Sequence, residues 1–233
     1  MRTFRILPQP DDSSCGPTAL HAVYSHFGLE IPLPRILSEV DMLDEGGTLA
    51  VMLGIHALQN GLQARIHSYN LLVFDPSWKS LDASELRDKV LNQLEFKSDP
   101  KLRVACAAYA RFLDLGGTFA FEELDARLLH EYLSRDLPIL TGLSATYLYG
   151  TEREYTNEKD KLIADDLRGG PTGHFVVLYG MEGDRIRIAD PYQDNPFSPA
   201  RKYEERVQRV INAILLGVLT FDANLLVLSK DPL

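Results

Sequence analysis

"PQPDDSSCGPTALHAVYSHFG", residues 8–28, places a cysteine at the mouth of a helix. Gly16-Pro17 opens that helix, because proline fits the first helical positions, where its missing N–H costs no hydrogen bond. Gly28 supplies the stop, and Ala19, Leu20, Val23 and Phe27 fall on one face of a helix running from Cys15 to Phe27. Unpaired N–H groups and the helix dipole favour negative charge at a helix start, which lowers the pKa of a thiol there. Cys15 therefore has the setting of a nucleophile. The plainer alternative is a small apolar residue that begins a helix.

A cysteine nucleophile needs a base, and the chain has six histidines. His21 and His26 share the helix of Cys15. His56, His67 and His130 sit within helices or a strand, with no orienting partner evident. His174 differs: it follows a glycine-rich stretch and begins the apolar strand "HFVVLYG". "MEGD" then signals a hairpin into "RIRIAD", which ends at Asp190. Hairpin spacing brings Asp190 to within about one residue of facing His174, so it can hold the imidazole and stabilise its cation. The alternative for Asp190 is a turn residue before Pro191. Gln9 lies six residues before Cys15. Its side-chain amide is a candidate oxyanion donor beside the backbone N–H of Cys15.

Around these residues the chain reads as α+β. A short helix follows "PLP" near Arg35, Thr48 is a candidate cap for a third helix over "LAVMLGIHALQN", and "LQARIHSY" alternates like a strand. From about Leu81 to Arg135 the pattern is helical throughout, without flanking linkers or repeats, and reads as an insertion within a single domain over 1–233. "LPILTGLS" is an apolar strand. Residues 150–173 are polar and end glycine-rich, the composition of a mobile loop. A charged helix is expected from Arg201, then a last strand, "LLVLS".

Gln-x5-Cys-Gly-Pro before a helix, with His-Phe-Val-Val and Asp-Pro much later, resembles the papain-like cysteine peptidases. The resemblance is strongest to the bacteriocin-processing, double-glycine leader peptidases and their stand-alone relatives. "GTLAVMLGIHALQNGLQARI" (47–66) is similar to the second helix and strand of that family. The resemblance spans roughly residues 5–70 and 137–192. It implies a nucleophile helix packed on an antiparallel sheet, and a thiol hydrolase with Cys15, His174, Asp190 and Gln9 as its catalytic set. The substrate is then a peptide or a similar amide. Phytochelatin-synthase-like enzymes hand the same acyl group to an amine, so acyl transfer is the alternative activity, and a non-catalytic peptide-binding module is the third. The insertion and the polar run before His174 depart from the compact family pattern. Cleavage after a double glycine is therefore not implied, and a separate transporter or peptide-modifying partner stays open.

Composition narrows the partners. The net charge is −9 with both signs interspersed, and no basic stripe points to nucleic acid. "MRTFRILPQPDDSS" has no apolar secretory core, and "VINAILLGVLTF" (210–221) is interrupted by Asn212 and too short to span a membrane. Two cysteines far apart fit reduced thiols in a cytoplasm. Cys106 lies on an apolar helix face and reads as core. Asp11 and Asp12 lack the His or Cys partners of a metal set and read as helix-start caps, so no metal or cofactor is expected. Tyr147 and Tyr149 are candidates to line a substrate groove or to pack at its rim.

Overall fold

The computed structural model describes residues 4–44, 46–158 and 161–233. Its centre is a seven-stranded sheet. In chain order the strands are β1 (Gln63–Ser68), β2 (Thr118–Ala120), β3 (Ile139–Ser144), β6 (Gly173–Glu182), β7 (Arg185–Ala189), β8 (Lys202–Arg206) and β9 (Asn224–Ser229), and a separate pair is formed by β4 (Glu154–Thr156) and β5 (Leu162–Ala164). The spatial order is β2-β1-β9-β3-β6-β7-β8, antiparallel at each junction except the parallel β1–β2 edge. Every residue of β3 and β9 is buried. These central strands are covered on both faces, which is why they read as continuous apolar runs.

The two faces of the sheet carry two cores. Leu140, Phe175, Val177 and Leu226 point toward α1 (Cys15–Phe27) and α3 (Ala50–Gln59), with α2 (Leu33–Glu39) against α1. Ile139, Val176, Leu178 and Val227 point the other way, toward α6 (Ala126–Ser134) and α8 (Val207–Leu216). This is the period-two alternation of a strand expressed as two hydrophobic layers. The short helix α7 (Ala145–Tyr149) joins the second layer, its Leu148 fully buried there.

The stretch read as an insertion is not confined to one side. Its helices α4 (Ala83–Asn92) and α5 (Pro100–Asp114) thicken the α1–α3 layer, whereas α6 crosses to the opposite face. Aspartates open all three, since the carboxylates of Asp82, Asp99 and Asp125 accept from the backbone N–H groups of Glu85, Leu102 and Leu128. The purely helical reading fails at β2. Gly116, at φ +87°, ends α5 in the left-handed region, and Thr118–Ala120 then run parallel to β1. Phe112 locks α5 to α3: a Cβ on Gly54 would lie 2.9 Å from its ring, and one on Gly117 only 2.4 Å away.

Three local expectations change. The helix expected from Arg201 is the strand β8, paired with β7 from Ala189↔Lys202 to Arg185↔Arg206; the helix begins at Val207, where Val210, Ile211 and Ile214 can reach the core. Thr48 does not cap α3, because its hydroxyl donates to the Asp41 carbonyl and Leu49 occupies the cap position. The polar run 150–173 holds the pair β4–β5, fastened to its own end by reciprocal backbone bonds between Glu154 and Gly170. Positions 159 and 160 of that run lie outside the described residues.

Phe112→Ala should destabilise the chain by about 3–5 kcal/mol, the usual cost of emptying a filled aromatic site. Trp78 is the sole tryptophan and packs against the same core. Its fluorescence and far-UV circular dichroism should lose structure together in urea. Two separate transitions would make the insertion an independent unit.

Candidate active site

His174 is the second residue of β6, and Asp190 follows the last residue of β7. Near the hairpin turn Gly180 pairs with Arg187, but past a bulge between Leu178 and Gly180 the partners become Leu178↔Ile188 and Val177↔Ala189. Had the first register continued, Asp190 would lie level with Val177, on the face away from His174. The bulge moves it level with Val176, which shares the face of His174. The offset is therefore two residues along one face, not the single residue that simple hairpin spacing suggests. His174 Nε2–H donates to Asp190 Oδ1 at 2.8 Å.

Asp190 is fully buried and fully used. Besides His174, the N–H of Tyr192 donates to Oδ1 at 2.9 Å, and the hydroxyls of Tyr149 and Tyr203 each donate to Oδ2 at 2.8 Å. Burial alone would raise the pKa of this carboxyl. The charge and hydrogen bond of His174, with the Tyr192 N–H and Tyr203 hydroxyl, reverse that and hold it below the ordinary carboxylate range. Burial likewise opposes the imidazolium of His174, yet Asp190 and the adjacent Cys15 outweigh it and raise its pKa to about 10. Both shifts describe a buried ion pair. Tyr149 is thus more than a groove residue, and Tyr203 lies in a stretch that resembled a charged helix. Tyr147 turns outward instead, its hydroxyl accepting from Asn212 Nδ2 at 3.1 Å.

Cys15 is the first residue of α1, 8 % exposed, and it comes from the opposite layer. Gly16 is required by close approach, since a Cβ there would meet Thr48 Cγ2 at 2.6 Å. Cys15 and His174 line one cavity of about 370 Å³. A second, of about 550 Å³, adjoins it through His174, Asp12, Gly173 and Leu162, and includes Gln9 and Tyr149. The β4–β5 pair helps to wall both, with Leu162 common to the two. Because Nε2 of His174 is held by Asp190, Nδ1 is the ring nitrogen left for the sulfur.

Gln9 reaches the second cavity but makes no hydrogen bond to Cys15. Its Nε2 donates to the Asp11 carbonyl at 2.9 Å, its Oε1 is buried without a partner, and its backbone N–H donates to Pro191 O at 2.9 Å. That last bond ties the loop before Cys15 to the turn after Asp190. Asp11 does not cap α1 either; its Oδ1 accepts from the N–H of Ser13 and the hydroxyl of Ser14, folding the loop. Cys106 is fully buried, and burial pushes its thiol up to about 11. His56 and His67 do have partners, Tyr24 with Glu39 and Tyr132 with Glu122, supplied by elements distant in sequence.

At the sequence level no family model matches the chain, and no curated protein does. Solved structures do match. A protein of Bacillus anthracis assigned as a C39-like peptidase aligns over 99 % of this chain and 96 % of its own, at 12 % identity and a TM-score of 0.51. The fold is that of a C39-like peptidase. The peptidase domain of Streptococcus ComA, a bifunctional ABC transporter involved in quorum sensing, aligns over 98 % of this chain and 100 % of that domain, at 12 % identity and a TM-score of 0.45. Within this C39-like fold the helix that begins at Cys15 packs on one face of a largely antiparallel sheet, the arrangement the family resemblance implied.

Tyr203→Phe should destabilise the protein by about 1.5–3 kcal/mol at neutral pH, the worth of one hydrogen bond to a charged group. Asp190 has a folded pKa below its unfolded one, so its contribution is present above the unfolded value and fades as pH falls through the folded value. The penalty should therefore be the same at pH 7 and pH 5 in urea unfolding and shrink only below the ordinary carboxylate range. A penalty independent of acid would mean that the hydroxyl serves packing rather than the carboxylate.

Proposed function

We propose that this chain is a cysteine peptidase, a thiol hydrolase that cleaves a peptide or amide bond. The observation that carries the proposal is the buried His174–Asp190 pair facing Cys15 at a helix start, in a cavity open to substrate. Cys15 Sγ attacks the carbonyl carbon, and the carbonyl oxygen takes the negative charge. The side-chain amide of Gln9 and the backbone N–H of Cys15 are the donors assigned to that oxygen. His174, through Nδ1, gives its proton to the leaving amine as the C–N bond breaks, which leaves a thioester on Cys15. A water then passes a proton to His174 and attacks the thioester, releasing the acid and restoring the thiol. Asp190 remains ionised throughout, holding the ring and balancing its charge.

No helix among the described residues is long and apolar enough to cross a membrane. Both cysteines are free thiols, which supports a reducing compartment, and we place the enzyme in the cytoplasm.

Cys15→Ala should abolish turnover of a peptide library while Cys106→Ala retains most of it. Iodoacetamide should label Cys15 and spare Cys106, and His174→Ala should slow that labelling because the thiolate loses its cation. Asp190→Asn should be milder than His174→Ala: the amide oxygen still accepts from the ring, and the two tyrosine hydroxyls can turn to accept from the new NH₂. Preferential labelling of Cys106, or full activity without Cys15, would sink the assignment.

Gln9→Ala should lower kcat by about 10²–10³ with little change in KM, since an oxyanion donor acts in the transition state. Affinity for a peptide aldehyde, which forms a tetrahedral hemithioacetal on Cys15, should fall in parallel. A change in KM alone would leave Gln9 as a loop residue that only braces the turn at Pro191.

A further inference from the structure

The cavity that holds Cys15 also contains a carboxylate that the proposed bond cleavage does not use. Asp222 lines it and is only 6 % exposed. Thr220 Oγ1 donates to its Oδ2 at 2.8 Å, and its Oδ1 has no hydrogen-bond partner among the described residues. Oδ1 is not one of the sealed, unpartnered polar atoms of the described residues, so it opens onto the cavity. The fold makes room for this carboxylate. A Cβ on Gly142 would stand 2.4 Å from Oδ1, and one on Gly173, the neighbour of His174, 2.5 Å from Oδ2. Its own neighbours, Phe221 and Ala223, sit at φ +68° and +63°, a left-handed backbone that non-glycine residues rarely adopt. Two left-handed residues thus flank an acid with one oxygen open to the cavity, and backbone strain of this kind clusters at functional sites.

Lys101 lines the same cavity from the first turn of α5. Its ammonium lies 5.1 Å from the centre of the Phe221 ring and forms no ion pair among the described residues. Burial pushes Asp222 up to about 7, while Thr220, Lys101 and His174 pull the other way. An acidic and a basic side chain thus face one small cavity beside Cys15, with no direct pair between them among the described residues. A purely cationic ligand for Asp222 would be repelled by Lys101. A purely anionic ligand for Lys101 would leave Oδ1 of Asp222 bare. A ligand end that carries both charges satisfies both.

We propose that this cavity binds the free head group of an α-amino acid, its ammonium against Asp222 and its carboxylate against Lys101, next to the Cys15 thiol. The position of that ligand relative to the chemistry rests on the cysteine peptidase reading. The head group belongs either to a free amino acid or to a substrate residue joined through its side chain, since both leave the ammonium and the carboxylate exposed on one carbon.

The test is protection of Cys15 from iodoacetamide, followed by mass spectrometry, each protein compared with its own unprotected rate. L-Alanine should protect at concentrations about tenfold lower than L-alaninamide or N-acetyl-L-alanine, each of which carries one of the two charges. Asp222→Asn and Lys101→Met should each raise the protecting concentration of L-alanine by about tenfold or more. Equal protection by the three compounds, or full protection of both variants, would overturn the proposal; Lys101→Met keeps the test open should Asp222→Asn fail to fold. If Cys15 does not react at all, the peptidase reading fails first, and NMR titration with L-alanine then judges the cavity by itself. With p-nitrophenyl acetate as acyl donor, acetylation of Cys15 releases p-nitrophenolate; N-acetyl-L-alanine formed above the Cys15→Ala background, as the ammonium gives a proton to Asp222 and its amine takes the acetyl group from sulfur, assigns the head group to an acceptor. Acetate alone, with protection retained, assigns it to a residue of the substrate.

Discussion

Asp190 gathers four hydrogen bonds onto two oxygens in a fully buried position. A charge so placed is tolerated only when every lone pair is answered. The donors come from β6, from α7, from β8 and from the turn after β7. One carboxylate thus fixes the spacing of elements that lie far apart in the chain. The loop before Cys15 is bound to the same turn through Gln9 and Pro191. The position of the cysteine loop relative to the histidine strand is in this way referred back to a single charged group.

The site lies at one end of the sheet, where the two layers meet. Cys15 arrives from the α1–α3 layer, while His174 and Asp190 are directed toward the α6–α8 layer. His174 and Asp190 share one face through the period-two alternation of their strands, whereas a helix of the other layer delivers Cys15. The bulge in β6 matters for the same reason. One extra residue reverses the parity of the hairpin and brings the acid to the face of the base. Glycines serve close approach here rather than flexibility: Gly16 lets α1 begin against Thr48, and Gly142 and Gly173 admit Asp222.

Much of this was legible in the residues. Cys-Gly-Pro before an amphipathic run marked α1, and apolar runs bounded by turns marked β3, β6 and β9. The pairing of His174 with Asp190 followed from hairpin spacing, although the register did not: nothing in "HFVVLYGMEGD" announces the bulge. Tyr149 and Tyr203 were obscure because their partner is a tertiary one. Local pattern showed an aromatic near a strand end and a tyrosine in a charged run, and only the meeting of α7, β8 and the β7 turn gives them a common acceptor. β8 was misread because its alternation of Lys202, Tyr203, Glu204, Glu205 and Arg206 is mostly charged, as a helix surface would be. Asp222 left no signal, since its environment is made by glycines from two other strands.

The β4–β5 pair walls the site on one flank. Leu162 is common to the two cavities, with Thr156 reaching one and Glu154 and Ala164 the other. On the proposed peptidase reading, a substrate chain reaching Cys15 passes alongside this strand pair, which suits an extended segment. Folded proteins offer such segments chiefly at termini and loop tips. Selectivity would then begin before any side chain is read, with a sorting of substrates by their slackness: tails, linkers and small peptides pass, and the ordered surfaces of neighbouring proteins stay out of reach.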